Sequence, residues 1–476
     1  MRIKVALLVS MAVIMGIGIY SMCTAASVDP KSKKKIKKRP PLELVEINTE
    51  EFPFIDQSIN HLYIAPDSSV LNAFFDKWEE IAQTGRGNIN IVHIGNSHVQ
   101  GGRLPHRIRC NLLNYYPDLV GSRGLITPYS ACAKNNNPPD YSVKASHMLM
   151  MSRNIEGSPS YPMGLNGFTC TAKDSPVTID IKLNECDHDF GTNQIILLGQ
   201  SPNDVRPVIK VNGKSYEADE ESIQFDAIYA FDLPKETDQF QIVLPCEEGE
   251  EFSLQGILLA NDHPGLTYSS IGVNGASVSS YFKCEYLADD LRLLNPDLVL
   301  LTLGTNDAYG SGFNPVYFQS NYERLIDTIR SVNPNCAIVF FTNSDNCRKS
   351  KSGYYSNPTG PIAREVFYKL AKKYNGAVWD EFTILGGSGG MEKMVQAGLA
   401  AGDHVHFTTQ GYHLAADLFC NAFVEAYINH SKQKKRIAEA AIEAQQQSAT
   451  EQQAKPNTKK QSEPTNRHEG HNYISY

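Results

Sequence analysis

An interruption constrains this chain more than any other feature. Strand and helix patterns alternate before about Asn135 and after Asp262, and between them no segment has convincing helical periodicity. On the near side, "SSVLNAFFDKWEEIAQ" places Leu71, Phe74, Phe75 and Trp78 at helical spacing. The β-branched strand Ile89–Ile94 follows, and "LPHRIRCNLLNYYP" returns to helical spacing. On the far side, "PDLVLLTLGTND" is a continuous apolar run, as a strand buried on both faces requires. Phe318, Tyr322, Leu325, Ile329 and Val332 then mark a helix, and "CAIVFFTN" a strand. Ile362, Val366, Leu370 and Tyr374 mark another helix, and "AVWD" a short strand. Thr408 or Thr409 caps a last helix through Leu418, Phe419 and Phe423. This rhythm predicts a parallel sheet between layers of helices.

The interrupting segment reads as antiparallel. "PVTIDIKL" puts Val177, Ile179, Ile181 and Leu183 on one face, and "QFQIVL" repeats the alternation with Phe240, Ile242 and Leu244. Asn212-Gly213 in "VIKVNGKSYEA" is a strong two-residue hairpin signal. Short alternating strands over this length predict a β-sandwich inserted into the α/β domain.

The ends are of other kinds. Arg2 and Lys4 precede the apolar "VALLVSMAVIMGIGIY", and small residues follow in "CTAAS", the pattern of an export signal cleaved after Ala25 or Ala26. Left uncleaved, the segment would be a membrane tether. The expected organisation is a signal or anchor at 1–26, a basic linker at 27–45 and a first α/β part at 46–135. The β insert spans 136–265, the second α/β part 266–430, and a disordered Gln-, Lys- and Glu-rich tail 431–476. A net charge of −8, with the one dense basic cluster confined to the linker, argues against nucleic acid as a partner. The ten cysteines include no C-x-x-C pair and read as buried thiols, with Cys170–Cys186 the one disulfide suggested.

In parallel sheets, functional groups collect where strands end. Three such ends carry unusual polar residues: Gly95-Asn96-Ser97-His98, Gly304-Thr305-Asn306-Asp307, and "GDHVHFT" before the last helix. "SIGVNGAS" adds Gly272 and Gly275 in a loop. Together they can assemble acyl transfer. A serine hydroxyl becomes nucleophilic when a histidine takes its proton, and a carboxylate orients that histidine. Asp403 and His406, three apart, can deliver both. The N–H groups of Ser97 and Gly275 and the Asn306 amide can receive the oxyanion. Asn96 and His98 would support the turn. Each block alone also fits an ordinary turn or cap, and the block around Ser97 is not G-x-S-x-G. His404 and His406 lack a third ligand, so no metal is expected.

In order and spacing, "IGNSH", "GVNGAS", "GTND" and "DHVH" resemble the four blocks of the SGNH, or GDSL-like, hydrolase superfamily. The resemblance implies a flavodoxin-like three-layer α/β/α fold, with Ser97 as nucleophile, His406 as base and Asp403 as its orienter. It also implies Gly275 and Asn306 in the oxyanion hole, and no metal or organic cofactor. The family usually carries Asp where this chain has Asn96. A β-sandwich between the serine and glycine blocks is similar to bacterial peptidoglycan O-acetylesterases, which implies an exported enzyme of the periplasm or cell envelope acting on an O-acetylated glycan. A glycan-binding protein with a dead site, an O-acyltransferase and a lipase-type esterase share these motifs. The oligomeric state is left open. On the insert, Tyr141, Tyr161 and Phe168 are aromatics of the kind that stack on sugar, with core packing the favoured reading for each.

Overall fold

The computed structural model describes residues 42–132, 138–183, 190–219 and 227–454. The apolar N-terminal segment, the cationic run and Cys186 lie outside them. The chain divides into two units, Met1–Tyr427 and Ile428–Tyr476.

A six-stranded sheet organises the first unit. Its strands are β1 (Leu62–Ile64), β2 (Asn88–Gly95), β3 (Gly265–Gly272), β4 (Leu298–Thr302), β5 (Ala337–Phe341) and β6 (Ala377–Trp379). In space they run β1-β6-β5-β4-β2-β3, parallel throughout except for β1, which pairs antiparallel with β6. Every residue of β4 and β5 is buried, as their unbroken apolar runs predict. The sequence reading misses β1, three residues being too few to show alternation, and β3, whose last residue, Gly272, it places in a loop.

Helices cover both faces, giving the expected α/β/α layering. The helix Ser69–Thr84 buries Leu71, Phe74, Phe75 and Trp78, with the Trp78 ring 5.9 Å from Phe423 and 5.2 Å from Tyr427 on the last helix. Each such side chain contributes about 1.5–3 kcal/mol by leaving water. Pro315–Val332 and Gly360–Tyr374 lie where periodicity places them, although Ile362 is exposed. The last helix starts at Thr409, with the Thr408 hydroxyl accepting from the Gly411 N–H. It extends to Ala454, so residues 431–454 are helical where a disordered tail is expected. The Ala-, Glu- and Lys-rich composition that denies this stretch a core also gives it high helix propensity.

The insert forms two antiparallel sheets. Val177–Leu183 and Gln239–Leu244 pair in one, burying the predicted alternate residues. Asn212 and Gly213 both adopt positive φ at the hairpin tip, +50° and +78°. The second sheet is covered on both faces. Ile195, Ile196, Leu197 and Leu198 are consecutive and buried, and Ile196, Leu198 and Leu258 share one core with Ile94 and Ile271 of the parallel sheet. That sheet also recruits Gly124–Ile126 from before the expected boundary.

A buried ion cluster joins the two parts. Asp140, at the start of the insert, accepts from Arg109 at 2.7 Å and also from Arg123. Burial pushes the Asp140 carboxyl up, but the two guanidiniums outweigh it and hold it well below the usual carboxylate range. Cys170 is disulfide-bonded to Cys132, which corrects the suggested Cys186 partner. Cys110, Cys246, Cys284, Cys336, Cys347 and Cys420 are buried and lie outside this disulfide.

Candidate active site

Strand register assembles the site. Gly95 is level with Gly272 on β3 and with Thr302 on β4, so three adjacent strands end together. The segments leaving those ends carry Asn96-Ser97, Asn274-Gly275 and Thr305-Asn306. Gly95 is required by close approach rather than by a left-handed turn. A Cβ there would lie 2.2 Å from the Val99 side chain. The carbonyl of Gly95 accepts from the buried Tyr281 hydroxyl at 2.7 Å.

Ser97 opens the four-residue helix Ser97–Gln100, which Asn96 caps by accepting from the His98 N–H at 3.0 Å. The Ser97 hydroxyl lies 2.8 Å from Nε2 of His406. Nδ1 of the same ring lies 2.7 Å from Asp403 Oδ2. The other Asp403 oxygen accepts from the N–H groups of Val405 and His406, each at 3.0 Å. Burial raises the Asp403 carboxyl, but these hydrogen bonds and the imidazole outweigh it, and the net shift is downward. An ionised Asp403 accepts from Nδ1–H of His406 and leaves Nε2 to accept from the serine. This arrangement can move a proton off the hydroxyl and stabilise the imidazolium that forms.

Asn306 and Gly275 lie at the ends of the neighbouring loops, both exposed. Gly275 has φ +85°, a left-handed conformation that favours glycine. Nδ2 of Asn306 donates to the Ala276 carbonyl at 2.8 Å, which ties the two loops together. Its second N–H, and the N–H groups of Ser97 and Gly275, have no acceptor among the described residues. Donors without acceptors at a strand-end cluster suit an incoming anionic oxygen.

His98 is buried. Its Nδ1 is 3.1 Å from the Tyr412 hydroxyl and its ring centroid 5.3 Å from that of His406. Burial, with the His406 charge next, pushes it down to about 3, so it packs behind the base as a neutral ring.

Two contributors were missed from sequence. Gln100, three residues after the serine and so one turn along, accepts from the Asn274 N–H at 2.7 Å beside Gly275. Tyr412, one turn into the last helix, holds His98. The sugar-stacking candidates resolve differently: Tyr141 and Phe168 are buried, and Tyr161 is part-exposed with its hydroxyl on the Met150 sulfur. Buried alternation on a strand marks core, and an aromatic residue type alone does not distinguish the two.

Residues 251–414 match the GDSL-like lipase/acylhydrolase family. The matched span holds Gly275, Asn306, Asp403 and His406, whereas Ser97 lies before the insert and reaches His406 through the fold. No curated protein sequence matches the chain. Among solved structures, a peptidoglycan O-acetylesterase is 19% identical with a TM-score of 0.65, the match covering 77% of this chain and 99% of that one. An acetyl xylan esterase is 22% identical, with 34% and 82% covered and a TM-score of 0.27. An acetylxylan esterase from Geobacillus stearothermophilus is 16% identical, with 33% and 73% covered and a TM-score of 0.27.

Proposed function

We propose that this SGNH-type carboxylic ester hydrolase is exported and removes O-acetyl groups from a cell-envelope glycan, peptidoglycan first among them, through an acyl-enzyme on Ser97. The observation that carries the reading is the unbroken chain from Ser97 Oγ through His406 to Asp403, at 2.8 and 2.7 Å. Likeness in fold, insert included, to a peptidoglycan O-acetylesterase supports the choice of glycan. The apolar N-terminal pattern supports export.

In this mechanism Ser97 Oγ attacks the acetyl carbonyl as its proton passes to His406 Nε2. The carbonyl oxygen, now negative, is received by the N–H groups of Ser97 and Gly275 and by the Asn306 amide. The imidazolium returns its proton to the departing sugar oxygen, leaving acetyl on Ser97. Water, deprotonated by His406, then attacks the acetyl carbonyl, the bond to Ser97 Oγ breaks as the imidazolium returns its proton to that oxygen, and acetate leaves. Asp403 remains ionised throughout and fixes the ring that makes both transfers.

The test is acetate release from O-acetylated peptidoglycan by the full chain, with a small aryl acetate alongside. Release from both is expected. Cleavage of the aryl ester alone would keep the esterase and discard the glycan; silence on both would discard the mechanism.

A further inference from the structure

Asp307 follows Asn306 directly, yet the mechanism gives it no part. The residue is part-buried, and both of its carboxylate oxygens accept from the Val278 N–H, each at 3.2 Å. Burial pushes the carboxyl up to about 6 against the pull of that N–H, so it is ionised at pH 8. A carboxylate is costly to bury without a cation, and a neutral acceptor would be enough for an ordinary loop tie. The charge makes this tie a strong one.

What the tie holds is the other half of the oxyanion site. Gly275 sits in a β-turn closed by the Ala276 N–H, which donates to the Val273 carbonyl at 2.9 Å, and its φ of +85° suits the third position of a type II turn. The turn fixes the shape of this loop, while ties to other elements fix its tilt against them. From the helix of Ser97, Gln100 accepts from the Asn274 N–H at 2.7 Å. From the helix Thr305–Tyr309, two consecutive residues reach positions two apart in the loop: Asn306 Nδ2 donates to the Ala276 carbonyl at 2.8 Å, and Asp307 accepts from Val278. Val278 opens the 3₁₀ helix Val278–Lys283, so its N–H has no partner within that helix and takes one from outside. Asn306 divides its amide between the Ala276 carbonyl and the incoming oxygen. Asp307 fixes the backbone from which that amide projects, and donates nothing itself.

We infer that Asp307 is a positioning residue of the esterase, which by holding Val278 keeps the Gly275 N–H and the second Asn306 N–H aimed at one oxygen. This rests on the esterase reading and adds to it a residue that acts through both donors without touching the ester. Donors set for the oxyanion favour the transition state over the bound ester, so their misalignment lowers kcat and leaves KM nearly unchanged.

The experiment measures kcat and KM for an aryl acetate at pH 8, with the full chain carrying Asp307→Ala or Asp307→Asn, each alone and combined with Asn306→Ala. Asp307→Ala is expected to lower kcat about tenfold, less than the loss of a whole donor. Asp307→Asn keeps an acceptor without the charge, and a neutral hydrogen bond being roughly half as strong, it is expected to lower kcat about threefold. KM should stay within about twofold of the wild type in both. In the Asn306→Ala background the two losses should shrink to about twofold or less, because residues acting through one arrangement are not additive. Urea unfolding of each variant separates lost folding from lost alignment, and the Asn variant carries the test alone if the Ala variant does not fold. A kcat equal to or above wild type in either folded variant, a loss carried by KM, or losses undiminished beside Asn306→Ala overturns the positioning role and leaves the esterase standing. Silence of the wild-type chain on the aryl acetate overturns the esterase reading and the positioning role together.

Discussion

Asn96 shows how far single residues can be read from sequence. Its type and position mark a turn residue, and the structure uses it so, with Oδ1 capping the helix of Ser97. Its full burial and its Nδ2, which has no partner among the described residues, belong to the tertiary surroundings, which no local pattern reveals. Ser97, Asn306, Asp403 and His406 stood out in the sequence as polar residues at element ends, and Gly275 as a loop glycine. The structure brings Ser97, Asp403 and His406 into one hydrogen-bonded chain, while Asn306 ties to the Gly275 loop. The roles proposed for them lead to measurable losses. Ser97→Ala is expected to abolish ester hydrolysis, checked by acetate release at saturating substrate. Asn306→Ala is expected to lower kcat by roughly 10²–10³, as when one oxyanion donor is removed. An unchanged kcat would take Asn306 out of the oxyanion hole. Because Nδ2 also holds the Ala276 carbonyl, circular dichroism of the variant should accompany the kinetics.

Among the elements, long ones were legible and short polar ones were not. β4 and β5 declare themselves through uninterrupted apolar runs, and Ser69–Thr84 through its spaced aromatics. The hairpin from Cys347 to Ser356, "CRKSKSGYYS", has no apolar alternation because Cys347 alone of its strand residues is buried, and tertiary contacts fix where the paired strands sit. The short helix Glu381–Ile384 adds a titrating group that sequence could not reveal. Glu381 is buried, and burial raises its pKa from the ordinary 4.5 to about 8. The folded chain therefore keeps a proton that the unfolded chain releases as pH rises above 4.5. The stability contributed by the neutral acid is present in full below that value and is lost as pH rises to about 8. Glu381→Gln should flatten this dependence and exceed the wild type at pH 9 by on the order of 4 kcal/mol. Urea unfolding of both proteins at pH 5 and pH 9 checks it, and parallel curves at the two pH values would contradict it.

At the scale of the whole molecule, the insertion itself was legible but its depth of integration was not. Alternation identified the β segment, whereas the core shared by Ile196, Leu198 and Leu258 with the parallel sheet involves pairings that sequence separation hides. The Arg109–Asp140–Arg123 cluster is a second tie of this kind. Asp140→Ala would leave two buried guanidiniums unpaired and should destabilise the first unit by about 3–5 kcal/mol, measured by denaturant unfolding. A loss under 1 kcal/mol would mean that water reaches the cluster. Such integration brings Ser97, before the insert, against His406, some three hundred residues later, and the central claim is that acetyl transfer passes through this contact. Rapid quenching of the full chain during turnover of an aryl acetate, followed by peptide mass mapping, tests it directly. A single acetyl group on Ser97, absent from Ser97→Ala along with turnover, is the predicted result. Sustained turnover with Ser97 unmodified, or turnover surviving in Ser97→Ala, would contradict it.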